Sequence, residues 1–221
     1  LFFADLALKD TGFGELLPQM EVVIFDEAHQ LPDIASDYFG ENFSSRALID
    51  LCRDIDIACK TELKDMQLAR TAEKLVSLLK DWRLQFATDP QKGNWREVWQ
   101  QPAMQTAVQR VADAVEVLYE VLKSSLGRSE IIDSCFERLA QARGRLQKLT
   151  DMQQTGVSLW FDTTRLHVTL HLTPLSIADK FCQVVFNQQR SWVFTSATLS
   201  VDEGFSHYTE QMGLQQAATL L

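Results

Sequence analysis

The stretch VVIFDEAH, residues 22–29, determines how the rest of the chain is interpreted. Its first four residues form an unbroken run of β-branched and aromatic side chains, which predicts a strand buried on both faces, as in a parallel sheet. The run ends abruptly in Asp26, Glu27 and His29. Because ligand sites in open α/β sheets lie at the carboxyl ends of strands, we expect these polar side chains to belong to a functional site.

A second short apolar run, residues 192–194, ends in the same manner, in the polar string TSAT at residues 195–198. It predicts another buried strand with a polar cluster at its carboxyl end. In the same part of the chain, residues 157–161 and 166–172 predict two strands joined by a turn. Residues 177–186 predict a short amphipathic helix, and residues 205–221 are expected to fray.

The middle of the chain, residues 37–155, is helical by period. Its apolar side chains recur three and four residues apart in several stretches, which predicts four or five helices that bury their stripes against one another. Breaks in this pattern fall near residues 88–90, 93, 102 and 124–129. The sequence therefore divides into three sections, residues 1–36, 37–155 and 156–221.

Composition and charge narrow the function classes. Of the 221 residues, 46% are apolar, which is ordinary for a globular protein and too high for a disordered one. No apolar run approaches the roughly 18 residues that span a bilayer, so no membrane is expected. The net charge is −9, which provides no broad basic field for nucleic acid. Because the chain begins at Leu1 without Met, we interpret it as an internal part of a longer protein.

The four cysteines, at positions 52, 59, 135 and 182, form no C-x-x-C pair. This excludes zinc-knuckle and thioredoxin-like sites. Because Cys52 and Cys59 lie seven residues apart among apolar residues, we predict buried free thiols on a helix face. A protein with free thiols and no disulfide framework is expected in the cytoplasm.

An apolar strand that ends in Asp-Glu is the pattern of a nucleoside-triphosphatase Walker B site. Mg²⁺ is a hard cation that takes one or two carboxylates together with phosphate oxygens, and Asp26 could supply one of them. A neighbouring carboxylate, here Glu27, could then orient and deprotonate the attacking water. Taken alone, the same residues also fit a strand followed by a solvated acidic turn, and the pattern by itself leaves both interpretations open.

The extended strings VVIFDEAHQL (residues 22–31) and VFTSATLS (residues 193–200) resemble motifs II and III of the superfamily-two helicases, and within them the XPD/DinG branch of DNA helicases. That branch carries a helical "arch" domain between the two motifs, at the position of residues 37–155. The resemblance implies an α/β RecA-like motor domain interrupted by a large, mostly α-helical arch insertion. Residues 1–36 would then hold the first part of the motor domain and residues 156–221 the second.

The resemblance also implies function. It implies an ATP-dependent, 5′-to-3′ translocase on single-stranded or forked DNA that works with replication or repair proteins, with ATP and Mg²⁺ as cofactors. Asp26 would bind Mg²⁺ and Glu27 would act as the base, both at the nucleotide. The residues implied to couple hydrolysis to DNA are His29, Ser196, Ala197 and Thr198. The family's 4Fe–4S cluster would lie elsewhere in the parent protein, because the cysteines of this chain have unsuitable spacing.

Two features limit this interpretation. The chain has no G-x-x-x-x-G-K-S/T phosphate loop and no second motor domain, so we expect this part alone not to hydrolyse ATP. Two alternatives therefore stay open: an RNA helicase of the same superfamily, and a non-enzymatic helical module that binds other proteins.

Several further residues are weaker candidates. A basic helix face predicts either a single-strand contact or a plain solvated face; its members are Arg138, Arg143, Arg145 and Lys148. Trp95 and Trp99 could stack bases but fit core packing better. His167 and His171 lie four apart on a predicted strand, where a metal pair is not expected.

Overall fold

Helices predominate in the computed structural model, which describes residues 1–11, 16–18, 20–186, 190–200 and 204–220. The chain divides into two compact units. The first unit consists of Leu1–Gly40 and Thr173–Leu221, and the second unit is the continuous segment Glu41–Leu172. In the described part of the chain, no helix is long and apolar enough to cross a membrane.

The first unit is built around two parallel strands. Its elements are α1 (Phe2–Thr11), β1 (Val22–Phe25), a 3₁₀ turn (Ala28–Gln30), α2 (Leu31–Phe39), α8 (Ala178–Phe186), β6 (Ser191–Phe194) and α9 (Ser206–Met212). Strands β1 and β6 pair in register, with Val22 opposite Ser191 and Phe25 opposite Phe194. Both strands predicted from the apolar runs are therefore confirmed, as is the short amphipathic helix predicted for residues 177–186.

Burial of β1 differs from the prediction. Val23 is buried, whereas Val22 and Ile24 are 51% and 64% exposed. The side chains alternate because the described elements cover only one face of the strand pair, where Phe25, Trp192 and other apolar residues join the core. The predicted burial on both faces is therefore wrong for the chain as described.

The second unit contains the predicted helices. They are α3 (Ser45–Ala58), which continues into a π turn (Cys59–Leu63), then α4 (Met66–Arg83), α5 (Trp95–Trp99), α6 (Pro102–Lys123) and α7 (Glu130–Thr150). Capping rules explain where these helices start: for example, the Asp65 side chain accepts hydrogen bonds from the N–H groups of Gln67 and Leu68, and Pro102 opens α6. The apolar stripes of the helices in the second unit form one core, as the periodicity predicts.

A four-stranded sheet completes the second unit. Its strands are β2 (Glu41–Ser44), β3 (Lys92–Asn94), β4 (Val157–Thr163) and β5 (Val168–Pro174), in the order β2-β5-β4-β3. The hairpin strands β4 and β5 were predicted, but β2 and β3 were not. Strand β2 runs antiparallel to β5, and β3 antiparallel to β4.

This sheet corrects the predicted division of the chain. We placed residues 156–172 with the final section, but their backbones pair with β2 and β3, and their inward side chains join the core of the second unit. Backbone hydrogen bonds between strands decide this grouping, and they join residues far apart in sequence.

The predictions that the cysteines are free thiols and that Trp95 packs in the core are confirmed. Cys52, Cys59 and Cys135 are buried and Cys182 is partly buried, and none of the four forms a disulfide. Trp95 is fully buried, and its indole N–H donates to the carbonyl of Leu149 at 2.9 Å.

Candidate active site at the ends of the parallel strands

Backbone hydrogen bonds hold the two polar strings together where β1 and β6 end. The Thr195 N–H donates to the Phe25 carbonyl at 2.8 Å, and the Ala28 N–H donates to the Thr195 carbonyl at 2.9 Å. The parallel ladder is therefore extended past the last strand residues by these two bonds. As a result, the polar residues after each strand face one another at one edge.

Asp26 is held at the tip of β1. Its Oδ1 accepts hydrogen bonds from the Thr195 hydroxyl at 3.1 Å and from the Glu27 N–H at 3.0 Å. Asp26 remains exposed, so its carboxylate is oriented and open to solvent. Thr195 was not among the predicted site residues, although it lies in the TSAT string and its hydroxyl directly follows an apolar strand.

Glu27 adopts a left-handed backbone conformation, with φ 50° and ψ 43°. A residue with a Cβ pays about 1–2 kcal/mol for this conformation. It turns the chain from β1 into the 3₁₀ turn, whose first closing bond runs from the Gln30 N–H to the Glu27 carbonyl at 3.0 Å. The Glu27 side chain, 58% exposed, thereby reaches the residues that follow β6.

His29, Ser196 and Glu27 form one hydrogen-bonded network. The His29 Nδ1 lies 2.8 Å from the Ser196 hydroxyl and 3.2 Å from Glu27 Oε2, and the Ser196 hydroxyl lies 3.2 Å from the same oxygen. Because a carboxylate only accepts, the serine donates its single proton to Glu27. The serine oxygen then accepts from His29, which we assign as the Nδ1–H tautomer.

Thr198, the last residue of the TSAT string, contacts the Ser196 side chain. The Thr198 N–H donates to the Ser196 oxygen at 3.3 Å, and the two hydroxyls are 3.4 Å apart. Ala197 is exposed, and Leu199 is buried and fixes the end of the string. Of the predicted coupling residues, the structure brings His29, Ser196 and Thr198 together.

Tyr208 is a contact that the sequence analysis did not find. This residue of α9 is buried, and its hydroxyl donates to the Ala28 carbonyl at 3.0 Å. Burial raises the pKa of the Tyr208 phenol well above its ordinary value, so the hydroxyl keeps its proton. The predicted fraying of residues 205–221 is also wrong for much of this segment, because Tyr208, Met212 and Leu214 pack into the core of the first unit.

Comparison with known proteins gives two close relatives. The chain is 50% identical over 222 residues to the ATP-dependent DNA helicase YoaA of Escherichia coli (strain K12), with 100% of this chain and 35% of the relative covered. It is 45% identical over 219 residues to the protein of the same name from Haemophilus influenzae, with 98% and 34% covered. This chain is homologous to a segment of the YoaA DNA helicases. It spans about 35% of the length of the relatives it matches.

The resemblance to DNA helicases that the two motifs carry is therefore confirmed, although no protein-family model matches the chain. In this YoaA homologue, the described residues contain no group of three or more His, Cys, Asp or Glu side chains arranged to hold a metal ion.

The basic helix face lies in the second unit, and acids neutralise most of it. Arg138 contacts Asp54 at 2.7 Å. Arg143 contacts Glu116 at 2.5 Å, and the carboxylate raises the pKa of the guanidinium. Lys148 contacts Glu41 at 2.6 Å, while Arg145 is exposed. Because three of the four cations in this YoaA homologue already have partners, the solvated-face interpretation gains support.

The histidines of β5 have separate surroundings. His171 Nε2 lies 2.7 Å from the Asp162 carboxylate, and its ring stacks on Trp160 with centroids 3.8 Å apart. The buried Nδ1 of His167 has no hydrogen-bond partner. His171 is therefore held by Asp162 and Trp160, whereas His167 has neither contact.

Proposed function

We propose that this chain is part of an ATP-dependent DNA helicase and that the joined ends of β1 and β6 form its hydrolysis and coupling edge. The observation that carries the proposal is the network in which Ser196 and His29 both contact the carboxylate of Glu27. A carboxylate after one strand is thereby bonded to a hydroxyl after the neighbouring strand. The names of the two relatives, both ATP-dependent DNA helicases, support this assignment.

Asp26 would hold Mg²⁺. The fit is chemical: a single exposed carboxylate, fixed by two hydrogen bonds, is the kind of hard oxygen ligand that Mg²⁺ takes besides water and phosphate. When bound, Mg²⁺ neutralises charge on the phosphates of the nucleotide. Thr195 would keep the Asp26 carboxylate oriented, since its hydroxyl donates to the oxygen that also accepts from the Glu27 N–H.

Glu27 would be the general base. Its carboxylate is mostly exposed and stands one residue beyond Asp26, so a water between the two and the nucleotide could lose its proton to it. The hydrogen bond from Ser196 and the contact with the His29 ring at 3.2 Å hold the same Oε2 in place. Since phosphoryl transfer depends mainly on positioning, these two contacts would matter for the rate.

The same network would couple hydrolysis to DNA. Nucleotide bound at Asp26 and Glu27 would change the hydrogen bonding of Ser196. DNA would then bind better either to the nucleotide-bound arrangement of Ser196 or to the nucleotide-free one. Coupling of this kind needs two states that both ligands bind differently. Thr198, which contacts Ser196 through its N–H, would pass the change along the chain after β6.

The second unit, Glu41–Leu172, would be the arch insertion. Residues 41–155, which make up most of it, carry 17 basic and 17 acidic side chains, so it would guide a DNA strand more than anchor it. A 5′-to-3′ polarity, a role in repair or replication, and a 4Fe–4S cluster elsewhere in the longer protein remain predictions from the resemblance.

ATP hydrolysis by the full-length protein, with and without single-stranded DNA, tests the proposal. Glu27→Gln keeps the shape of the side chain but cannot accept the proton, so we expect DNA-stimulated hydrolysis to fall by about 10²-fold or more while ATP still binds. Glu21→Gln, at an exposed position just before β1, is the matched control and should hydrolyse ATP as the wild type does.

The outcome also separates the alternatives. Stimulation by RNA rather than DNA would favour an RNA helicase. Full activity in Glu27→Gln, or no hydrolysis by the wild type, would contradict the proposal and favour a helical protein-binding module. The 221-residue chain by itself should not hydrolyse ATP, because it lacks the phosphate loop.

A further inference from the structure

Ala28 is held through both of its backbone polar groups. Its N–H donates to the Thr195 carbonyl at 2.9 Å, and its carbonyl accepts from the Tyr208 hydroxyl at 3.0 Å. The same carbonyl also accepts from the Leu31 N–H within the 3₁₀ turn. Ala28 itself is fully buried. The residue between Glu27 and His29 is therefore fixed by Thr195, directly after β6, and by Tyr208 of α9.

This arrangement constrains the direction of Glu27. Its left-handed backbone is costly for a residue with a Cβ, so it persists only where the surroundings hold it. The peptide that joins Glu27 to Ala28 is held by the Thr195 carbonyl, and the next peptide, from Ala28 to His29, is held by the Tyr208 hydroxyl. If Ala28 rotates, the Glu27 side chain moves away from Ser196.

We propose that Tyr208 is a positioning residue for the hydrolysis site: its hydroxyl holds the Ala28 carbonyl and so keeps the Glu27 carboxylate aimed at the attacking water. This rests on the function proposed above. Tyr208 makes no contact with the reacting groups; it acts through Ala28 and Glu27. Small errors in the placement of a catalytic group can lower a rate strongly. One hydrogen bond from Tyr208 can therefore matter although Tyr208 does not touch the nucleotide.

The competing explanation is plain core packing. The Tyr208 ring lies 6.4 Å from the ring of Phe194 among the apolar residues of the first unit. Phenylalanine would preserve that packing, and the Ala28 carbonyl would keep its bond from Leu31. We therefore expect Tyr208→Phe to fold, and any loss of rate then reports on the hydroxyl alone.

The experiment measures ATP hydrolysis by the full-length protein carrying Tyr208→Phe. We expect kcat to fall about tenfold with KM for ATP unchanged, since the hydroxyl touches no nucleotide. Tyr119→Phe is the matched control, because it removes a phenol hydroxyl in the second unit, where the ring stacks on Phe136. It should keep the wild-type kcat.

A double variant separates positioning from general damage. In the Glu27→Gln background, Tyr208→Phe should cost little further rate, because the group that Tyr208 positions is already disabled. A purely structural defect would lower the rate by the same factor in both backgrounds, or raise KM, and would overturn the inference.

The remaining outcomes are also decisive. If Glu27→Gln abolishes hydrolysis but Tyr208→Phe behaves like Tyr119→Phe, the inference fails and the proposed function stands. If the wild type hydrolyses no ATP, the proposed function fails and the inference with it.

If Tyr208→Phe does not fold, 4-fluorophenylalanine at position 208 fills the hydroxyl volume without donating a proton. A wild-type kcat there, or failure to fold again, would assign the hydroxyl to packing or folding and overturn the inference.

Discussion

The buried thiols of the second unit make stability depend on pH. Burial raises the pKa of Cys52 to about 12 and that of Cys135 to about 11, whereas an exposed thiol ionises near pH 8.5. Above that pH the unfolded chain loses protons that the folded chain keeps. The free energy of unfolding is therefore undiminished below about pH 8.5 and falls as the pH rises towards 11 or 12.

We expect the free energy of unfolding to drop by about 2 kcal/mol for each of the two thiols, about 4 kcal/mol in all, between pH 8 and pH 10, measured by urea denaturation under reducing conditions. The double variant Cys52→Ala, Cys135→Ala should be less stable at pH 8 because it leaves cavities. Its stability should nevertheless change less between the two pH values. An equally steep fall in that variant would assign the effect to other groups.

At the level of residues, the sequence predicted which polar side chains lie together at the ends of β1 and β6. Asp26, Glu27 and Ser196 are polar side chains directly after apolar strands, and such positions mark sites in α/β sheets. Tyr208 was not predictable, because its bond to Ala28 joins residues 180 positions apart. The left-handed backbone of Glu27 was also not predictable, because the next residue, Ala28, is held by Thr195 and Tyr208, which lie far away in the sequence.

Among the elements, the short strand β3 depends on a glycine. A Cβ added at Gly93 would lie 2.9 Å from the ring of Phe161, which is buried in the neighbouring strand β4. That distance is too short for carbon atoms in contact, and the Phe161 ring also packs against Phe86, with centroids 5.0 Å apart. The glycine thus allows β3 to approach β4 closely.

Two glycine-to-alanine changes should therefore have opposite effects on the free energy of unfolding. Gly93→Ala should lower it by about 1–3 kcal/mol through overpacking. Gly144→Ala, in the interior of α7 with nothing within 4 Å of the added Cβ, should raise it by about 0.5–1 kcal/mol. Urea denaturation of both variants checks the pair, and a Gly93→Ala protein as stable as wild type would contradict the close packing.

The elements differ in how far sequence reveals them. Helices α4, α6 and α7 repeat apolar side chains over many turns, so their period is plain. Strands β2 and β3 have four and three residues and little β-branched character, and only pairing with β5 and β4 makes them strands. Tertiary context of this kind overrides local propensity.

On the scale of the whole molecule, the second unit has the form of an insertion. It is one continuous segment with its own core, whereas the first unit is assembled from both ends of the chain. Its first and last residues, Glu41 and Leu172, lie opposite each other on antiparallel strands. Partners of this kind have Cα atoms about 5 Å apart, so the chain leaves the second unit close to where it entered.

This closeness predicts that the second unit can be removed. Replacing residues 41–172 by a Gly-Ser linker of about four residues bridges the gap easily, since each residue spans up to about 3.5 Å. In the full-length protein we expect such a variant to retain ATP hydrolysis within severalfold, because Asp26, Glu27 and Ser196 all belong to the first unit. DNA unwinding should be lost, because the proposed arch is gone.

The control inserts the same linker between Gly40 and Glu41 without the deletion and should keep both activities. Loss of hydrolysis in the deletion variant alone would mean that the site depends on the second unit, and the insertion would then be part of the motor itself.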